Sequence, residues 1–170
     1  VFANKNVGTG KSVTVSYTLG GADAANYTAS GNAVMANITA KGLTQSGGGA
    51  QNRVYNGGTS ATITGATLSG VVGSDSVSLS GTFADKTVGN GKTVTFTLSG
   101  DDASNYSISG TTTANITAKT ANITGTSASN KTYDGATSAT ISANGSITAG
   151  DIESGDTLNI ASASGVFANK

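Results

Sequence analysis

The feature that most constrains this chain is an internal repeat with a period of about 80 residues. VFANKNVGTGKSVTV (1–15) returns as TFADKTVGNGKTVTF (82–96), GADAANYTASG (21–31) as GDDASNYSISG (100–110), and ANITAK stands at 36–41 and 114–119. The other half of the period recurs too: NRVYNGGTSATITG (52–65) answers NKTYDGATSATISA (130–143), and SDSVSLSGTF (74–83) answers GDTLNIASASGVF (155–167). Phe2, Phe83 and Phe167 therefore stand 81 and 84 residues apart. A unit this short buries little apolar surface alone, so it must fold as a small domain supported by its neighbours.

Two phases fit. ANITAK running into LT or ANIT reads as a last strand entering the next first strand. That makes 41–118 one complete repeat, between the C-terminal part of a repeat (1–40) and the N-terminal part of the next (119–170). The alternative cuts at the VFANK copies and gives 1–81 and 82–165 as two repeats. We prefer the first, in which 1–40 and 119–170 are complementary halves open to homotypic pairing between molecules. VFANK at both 1–5 and 166–170 also fits a two-unit super-repeat of a longer array.

VGTGKSVTV (7–15) and VGNGKTVTF (88–96) imitate the end of a phosphate-binding loop. A P-loop needs a glycine five places before its second one, and Lys5 and Lys86 stand there instead. Each lysine is followed by alternating residues of a half-buried strand, where a phosphate site needs a helix N-terminus. The glycines are read as positive-φ positions of a tight turn, Gly89-Asn90-Gly91 in the second copy, between TFADKTV and KTVTFTL. Val94, Phe96 and Leu98 then face the core, as do Val13, Val15, Tyr17 and Leu19 in the first copy.

Short alternating segments between Gly-rich turns predict an all-β fold: tandem small Ig-like β-sandwich repeats, with β-grasp-like units or a β-solenoid as alternatives. Further strands are expected at 61–64, 76–80, 106–109, 114–118, 121–125, 139–142 and 157–161. ADAAN and DDASN are expected to make one helical turn each, with Asn26 and Asn105 capping the bend before Tyr27 and Tyr106. The expected core of the middle unit is Tyr55, Ile63, Leu68, Val77, Leu79, Phe83, Val94, Phe96, Tyr106, Ile108 and Ile116.

Composition narrows the chemistry. The chain has no His, Cys, Trp or Pro, which removes the common general base, the thiolate nucleophile and the usual zinc ligands. A non-enzyme is expected, with no catalytic, cofactor-binding or metal-binding residues. Nine basic residues balance nine acidic ones and Arg53 is the only arginine, so no basic face exists for nucleic acid. No apolar run reaches the roughly 20 residues that span a bilayer, so membrane insertion of this segment is not expected.

Four features invite a site. Asp151, Glu153 and Asp156 would offer oxygens to Ca²⁺ at a repeat junction, but they lack the spacing of a calcium loop; Asp101 and Asp102 form a lesser acidic pair. The reading adopted is a solvated loop. Lys5 or Lys86 would suit an internal isopeptide bond to Asn or Asp, but no buried acidic partner is identifiable, so exposed lysines are expected. Thr-x-Thr rows at Thr93-Val94-Thr95 and Thr111–Thr113 would suit glycan or ice, and are read as solvent faces of strands. Sequons stand at Asn26, Asn37, Asn105, Asn115, Asn122, Asn130 and Asn144, three of them (Asn37, Asn115, Asn122) in expected strands.

Tyr133-Asp134-Gly135 within ASNKTYDGATSATI, followed or preceded in order by GDTL, FADK-x-VG-x-GK, ASNY and ANITAK, resembles the YDG-type repeats found beside MBG domains in large bacterial surface adhesins, including filamentous haemagglutinin-like exoproteins. The resemblance covers the whole chain; YNG at 55–57 departs from it by one residue that suits a turn equally well. It implies an extracellular stalk segment that extends a distal binding region from the cell, with neighbouring repeats as partners. It also leaves Asn130 and Asn144 as candidate glycosylation positions. The alternative is that the repeats themselves bind a glycan, ice or a sister fibre.

Overall fold

In a computed structural model that describes residues 1–169, the chain is all-β, with three single 3-10 turns at Ala24–Asn26, Ala103–Asn105 and Ala149–Asp151. Lys170, the end of the third expected segment, lies outside the described residues. Among the described residues no helix is long and apolar enough to cross a membrane.

Among the described residues, seven sheets organise the strands. The largest has five strands in the order Arg53–Val54, Thr111–Thr117, Gly89–Ser99, Ser78–Phe83 and Ser60–Ala61. Arg53–Val54 joins it parallel through Ile116 opposite Arg53. Ser78–Phe83 pairs antiparallel with Ser60–Ala61, setting Gly81 opposite Ala61. The same pairs recur in the flanking copies. Gly165 lies opposite Ala139 as Gly81 does opposite Ala61, and Gly8–Val13 pairs with Val34–Ile38 where the middle copy has Gly89–Ser99 and Thr111–Thr117.

Two compact units result, Val1–Gln51 with Ser60–Thr82 and Thr93–Thr113, and Asn52–Thr59 with Phe83–Lys92 and Ala114–Lys170. In the first, Leu43, Ala61, Val94, Phe96 and Tyr106 are buried; in the second, Phe83, Ala114 and Ile116. Val94 is fully buried while Thr93 and Thr95 face solvent, so the alternation read from KTVTFTL holds. Leu43, Ala61 and Ala114 join a core expected to consist of larger side chains.

Four local expectations need correction. The turn after TFADK lies at 84–88, and Gly89–Ser99 is already strand. Gly10 and Gly91 still carry positive φ, +57° and +60°; Gly10 sits in a β-bulge, since between Gly8 and Lys11 the register against Ile38 and Ala36 gains one residue, and Gly91 holds the same place and conformation in its copy. Residues 157–161 form no strand, because no copy of the 89–99 strand lies beside them. The row Val15, Tyr17 and Leu19 is not buried but 41–54% exposed, and only Val13 is half-buried, in a strand that ends at that residue. Finally, Tyr27 and Tyr106 N–H close their bends on the Ala24 and Ala103 carbonyls, and the Asn105 side chain instead accepts Val7 N–H at 2.9 Å.

Candidate functional site: a repeated lysine, aspartate and tyrosine junction

The loop before each GK lysine is shaped by its own side chains. Asn4 Oδ1 accepts Asn6 N–H at 3.1 Å, and Asp85 Oδ1 accepts Thr87 N–H at 2.8 Å, the same side-chain turn in both copies. The lysine that imitated a P-loop reaches back to lock it. Lys11 Nζ donates to Asn4 Oδ1 and to the Asn6 carbonyl, and Lys92 Nζ to Asp85 at 2.5 Å and Thr87 Oγ1 at 3.0 Å. The bulge glycines bond the other repeated block: Gly10 and Gly91 N–H donate to Asn37 and Asn115 Oδ1, each at 2.8 Å. GxGK and ANIT recur together because one holds the other.

That loop projects the lysine of the FA[N/D]K block, Lys5 or Lys86, onto the aspartate of the downstream SDS or GDT block. Lys5 Nζ lies 2.7 Å from Asp75 Oδ1 and Lys86 Nζ 2.9 Å from Asp156 Oδ1, each pair 70 residues apart. A tyrosine hydroxyl completes each cluster. Tyr106 donates to Asp75 Oδ2 at 2.7 Å and accepts Val72 N–H at 3.0 Å; Tyr55 donates to Asp156 Oδ2 at 2.6 Å. The tyrosines come from different blocks, NYS and VYN, so the arrangement recurs by chemistry rather than by strict copying. Lys86 also stands over the Tyr55 ring, 5.8 Å from its centroid.

The electrostatics follow from these bonds. The hydrogen bond from Lys5, with that from Tyr106, holds the Asp75 carboxyl below the usual carboxylate range, and the bonds from Tyr55 and Lys86 do the same to Asp156. The hydrogen bonds to Asp75 and Asp156 raise Lys5 and Lys86. Both pairs are thus held as ions. An amide condensation needs the neutral amine and the protonated acid, the two forms this environment disfavours.

The YDG block has an equally plain physical basis. Asp134 Oδ1 accepts Ala136 N–H at 3.0 Å and Asn56 Oδ1 accepts Gly58 N–H at 3.1 Å, with Gly135 and Gly57 both at φ +75°. A cation three residues earlier clamps the turn, Lys131 on Asp134 at 2.7 Å and Arg53 on Asn56. The same cations cover the phenylalanine of the FADK block: Arg53 lies 5.0 Å from the Phe83 ring centroid and Lys131 5.8 Å from that of Phe167. Asn for Asp at the turn leaves this geometry intact.

The acidic loop is engaged by protein donors. Asp151 accepts from Asn122 N–H and Nδ2 at 2.8 Å each, Glu153 pairs with Lys119 at 2.8 Å, and Asp156 is taken as above. Among the described residues no three such ligands converge on one point. Asp102 accepts Ser76 N–H and lies 3.8 Å from Lys5, while no partner is described for Asp101. The sequons Asn37 and Asn115 spend their side chains on the bulge. A hollow of about 460 Å³ adjoins Tyr55, Lys119, Glu153 and Asp156, and its counterpart of about 220 Å³ adjoins Lys5, Lys41, Asp75 and Tyr106.

Sequence reasoning missed the junction clusters. Their signal was present: the FA[N/D]K lysine and the aspartate of SDS or GDT stay fixed between copies whose surroundings vary.

No curated protein and no solved structure matches the chain. The family model described as YDG domain matches residues 1–34, 39–114 and 117–170. The chain is therefore a member of the YDG domain family, made of successive copies of that domain.

Proposed function

We propose that this chain is a non-catalytic spacer of a bacterial cell-surface adhesin, an extracellular segment whose repeats set the distance between a distal binding region and the cell. In this reading 41–118 is one repeat and the flanking segments belong to its neighbours. The observation that carries it is the recurrence of the Lys–Asp–Tyr cluster, since each Lys and its Asp belong to successive repeats. A chain that ties Lys5 and Lys86 to aspartates of the following repeat, and that keeps every acidic side chain of the 151–156 loop engaged, is suited to transmit force and spacing.

The test is ligand binding. Glycan arrays and ice-affinity measurements on the chain are expected to show no saturable binding; saturable binding at a defined stoichiometry would replace the spacer with an adhesive module. The reading in which repeats contact a sister chain draws support from one specific observation, the exposure of Val15, Tyr17, Leu19 and Tyr27.

A further inference from the structure

Asparagine precedes glycine three times in the chain, at Asn56-Gly57, Asn90-Gly91 and Asn144-Gly145. Such a pair is open to reaction within itself, because glycine has no Cβ to keep its backbone nitrogen away from the neighbouring side-chain amide. Two of the three are restrained. Asn90 and Gly91 lie within the strand Gly89–Ser99, with Gly91 N–H held by Asn115 Oδ1 at 2.8 Å. Asn144 and Gly145 lie within Ile141–Ile147, where Asn144 and Ser146 pair with Thr126 and Thr124. Asn56 and Gly57 stand outside every strand, Asn56 is exposed, and among the described residues no acceptor takes Gly57 N–H. Gly57 is fixed as glycine by its φ of +75° and by Glu153, whose Cβ would lie 3.2 Å from an added Cβ. The Asn56 side-chain oxygen accepts two donors, Arg53 Nη1 and Gly58 N–H, the second at 3.1 Å. In the other copy the same place is taken by a carboxylate, Asp134 Oδ1, held by Lys131 at 2.7 Å and by Ala136 N–H at 3.0 Å. The turn at 53–58 thus presents a cation and an amide donor to a negative charge that Asn56 does not carry.

We propose that Asn56 is a self-modification site, at which the Tyr-Asn-Gly turn converts to Tyr-Asp-Gly. Gly57 N gives up its proton to water and attacks Asn56 Cγ; the Cγ–Nδ2 bond breaks and ammonia leaves, closing a succinimide. Negative charge builds on Oδ1 in the tetrahedral adduct, where Arg53 and Gly58 N–H receive it. Water then adds to one of the two ring carbonyls, and the same donors direct it. Attack at Cγ breaks the Cγ–N bond, returns a proton to Gly57 N and leaves aspartate. Attack at the main-chain carbonyl of residue 56 breaks the other bond to that nitrogen and leaves isoaspartate. Only the first route places the developing charge on Oδ1, so the turn favours aspartate. The sum is asparagine and water in, aspartate and ammonium out, with no oxidant or reductant. The product carboxylate pairs with Arg53 as Asp134 pairs with Lys131. The proposal rests on the turn alone and stands whether or not the repeats act as a spacer.

Ageing the intact chain in mildly alkaline buffer tests it, with a synthetic peptide of residues 50–62 as the unrestrained reference. The fresh chain has the mass of its sequence. Ageing is expected to release one ammonia per chain, with peptide mapping placing the change at residue 56 while Asn90 and Asn144 remain asparagine. The ratio of aspartate to isoaspartate, read by isoaspartyl methylation, is expected to exceed that of the peptide. Arg53→Lys keeps a cation on the turn, as Lys131 does in the other copy, and is expected to keep that ratio. Arg53→Met is expected to slow conversion by about tenfold or more, the worth of one charge-assisted hydrogen bond, and to move the ratio to that of the peptide. Asn56→Asp releases no ammonia from this site and is expected to match the aged chain in hydrogen exchange at residues 56–58. An Asn56 that survives while the peptide is consumed, conversion at Asn90 or Asn144 first, or a product ratio equal to that of the peptide would each overturn the proposal. So would an Arg53→Met chain that is folded by its melting curve and converts as fast as wild type.

Discussion

Gly81→Ala asks whether the core of the middle repeat is as tightly specified as its burial implies. A Cβ added there would lie 2.6 Å from Val94 Cγ1, 3.0 Å from Ile63 Cδ1 and 3.4 Å from Ala61 Cβ. Gly81 is not among the glycines of positive φ, so its backbone accepts alanine and the whole penalty is steric. Val94 is fully buried and β-branched, with little rotamer freedom to yield. Overpacking of this kind costs about 1–3 kcal/mol. Reduced freedom of the unfolded chain returns about 0.4–1 kcal/mol. The net loss is about 1–2 kcal/mol, a fall in Tm of roughly 5–12 °C for a repeat of this size by calorimetry. Val94→Ala alone removes two carbons, about 1.6 kcal/mol of transfer energy, and leaves a cavity that brings the cost to about 2–3 kcal/mol. In the double variant the new methyl enters the vacated space, so the combined cost falls short of the sum by about 1 kcal/mol or more. Gly165→Ala meets only the flexible end of Ile141 at 2.9 Å and Ala139 at 3.5 Å, and in dilute solution shifts Tm by about 2 °C or less. Additive costs in the cycle, or a neutral Gly81→Ala, would refute the packing argument.

Gly91→Ala tests the bulge: nothing lies within 4 Å of the added Cβ, so the cost is the conformational one of φ +60°, about 1–2 kcal/mol in urea titration. Asn115→Ala deprives the Gly91 amide of its acceptor and is expected to cost about 0.5–1.5 kcal/mol in the same titration, less in an already altered Gly91 variant. The Asp85 carboxyl, lowered to about 2 by its bonds from Lys92 and Thr87, binds protons less readily folded than unfolded. Its stabilisation is present above the ordinary value of 3.8 and lost as pH falls through about 2, so Asp85→Asn should flatten the acid limb of a Tm-against-pH curve. Lys5 and Lys86, raised by their aspartates, contribute stability that is full below 10.5 and lost as pH rises beyond it; alkaline melts of Lys86→Met should lose part of that limb. Intact mass should equal the sequence mass, because a shortfall of one water per junction would mean that the Lys–Asp pairs had condensed.

Much of the fold was legible because it is local. The all-β class and the alternation of Val94 and Phe96 follow from residues a few places apart, and the period follows from direct comparison of the chain with itself. The turn before GK was misplaced because two glycines look like a turn, whereas the bend is made by the side chains of Asn4 and Asp85 and the glycines serve a bulge. The Lys–Asp–Tyr clusters were not legible as a local pattern, since Lys5 and Asp75 are 70 residues apart. Val15 and Tyr17 read as core for the same reason Val94 and Phe96 do, but their strand ends at Val13, and no local signal marks that end. Leu43, Ala61 and Ala114 escaped notice because small or isolated residues carry no periodic signal, yet all three are buried.

The central claim is that each period is a building block of length. Solution scattering from tandem chains carrying one, two and three copies of residues 1–165 measures it directly. The account predicts that maximum dimension grows by an equal step with each copy. Growth that flattens toward the roughly 0.38 power of chain length, as in a single collapsed globule, would contradict it.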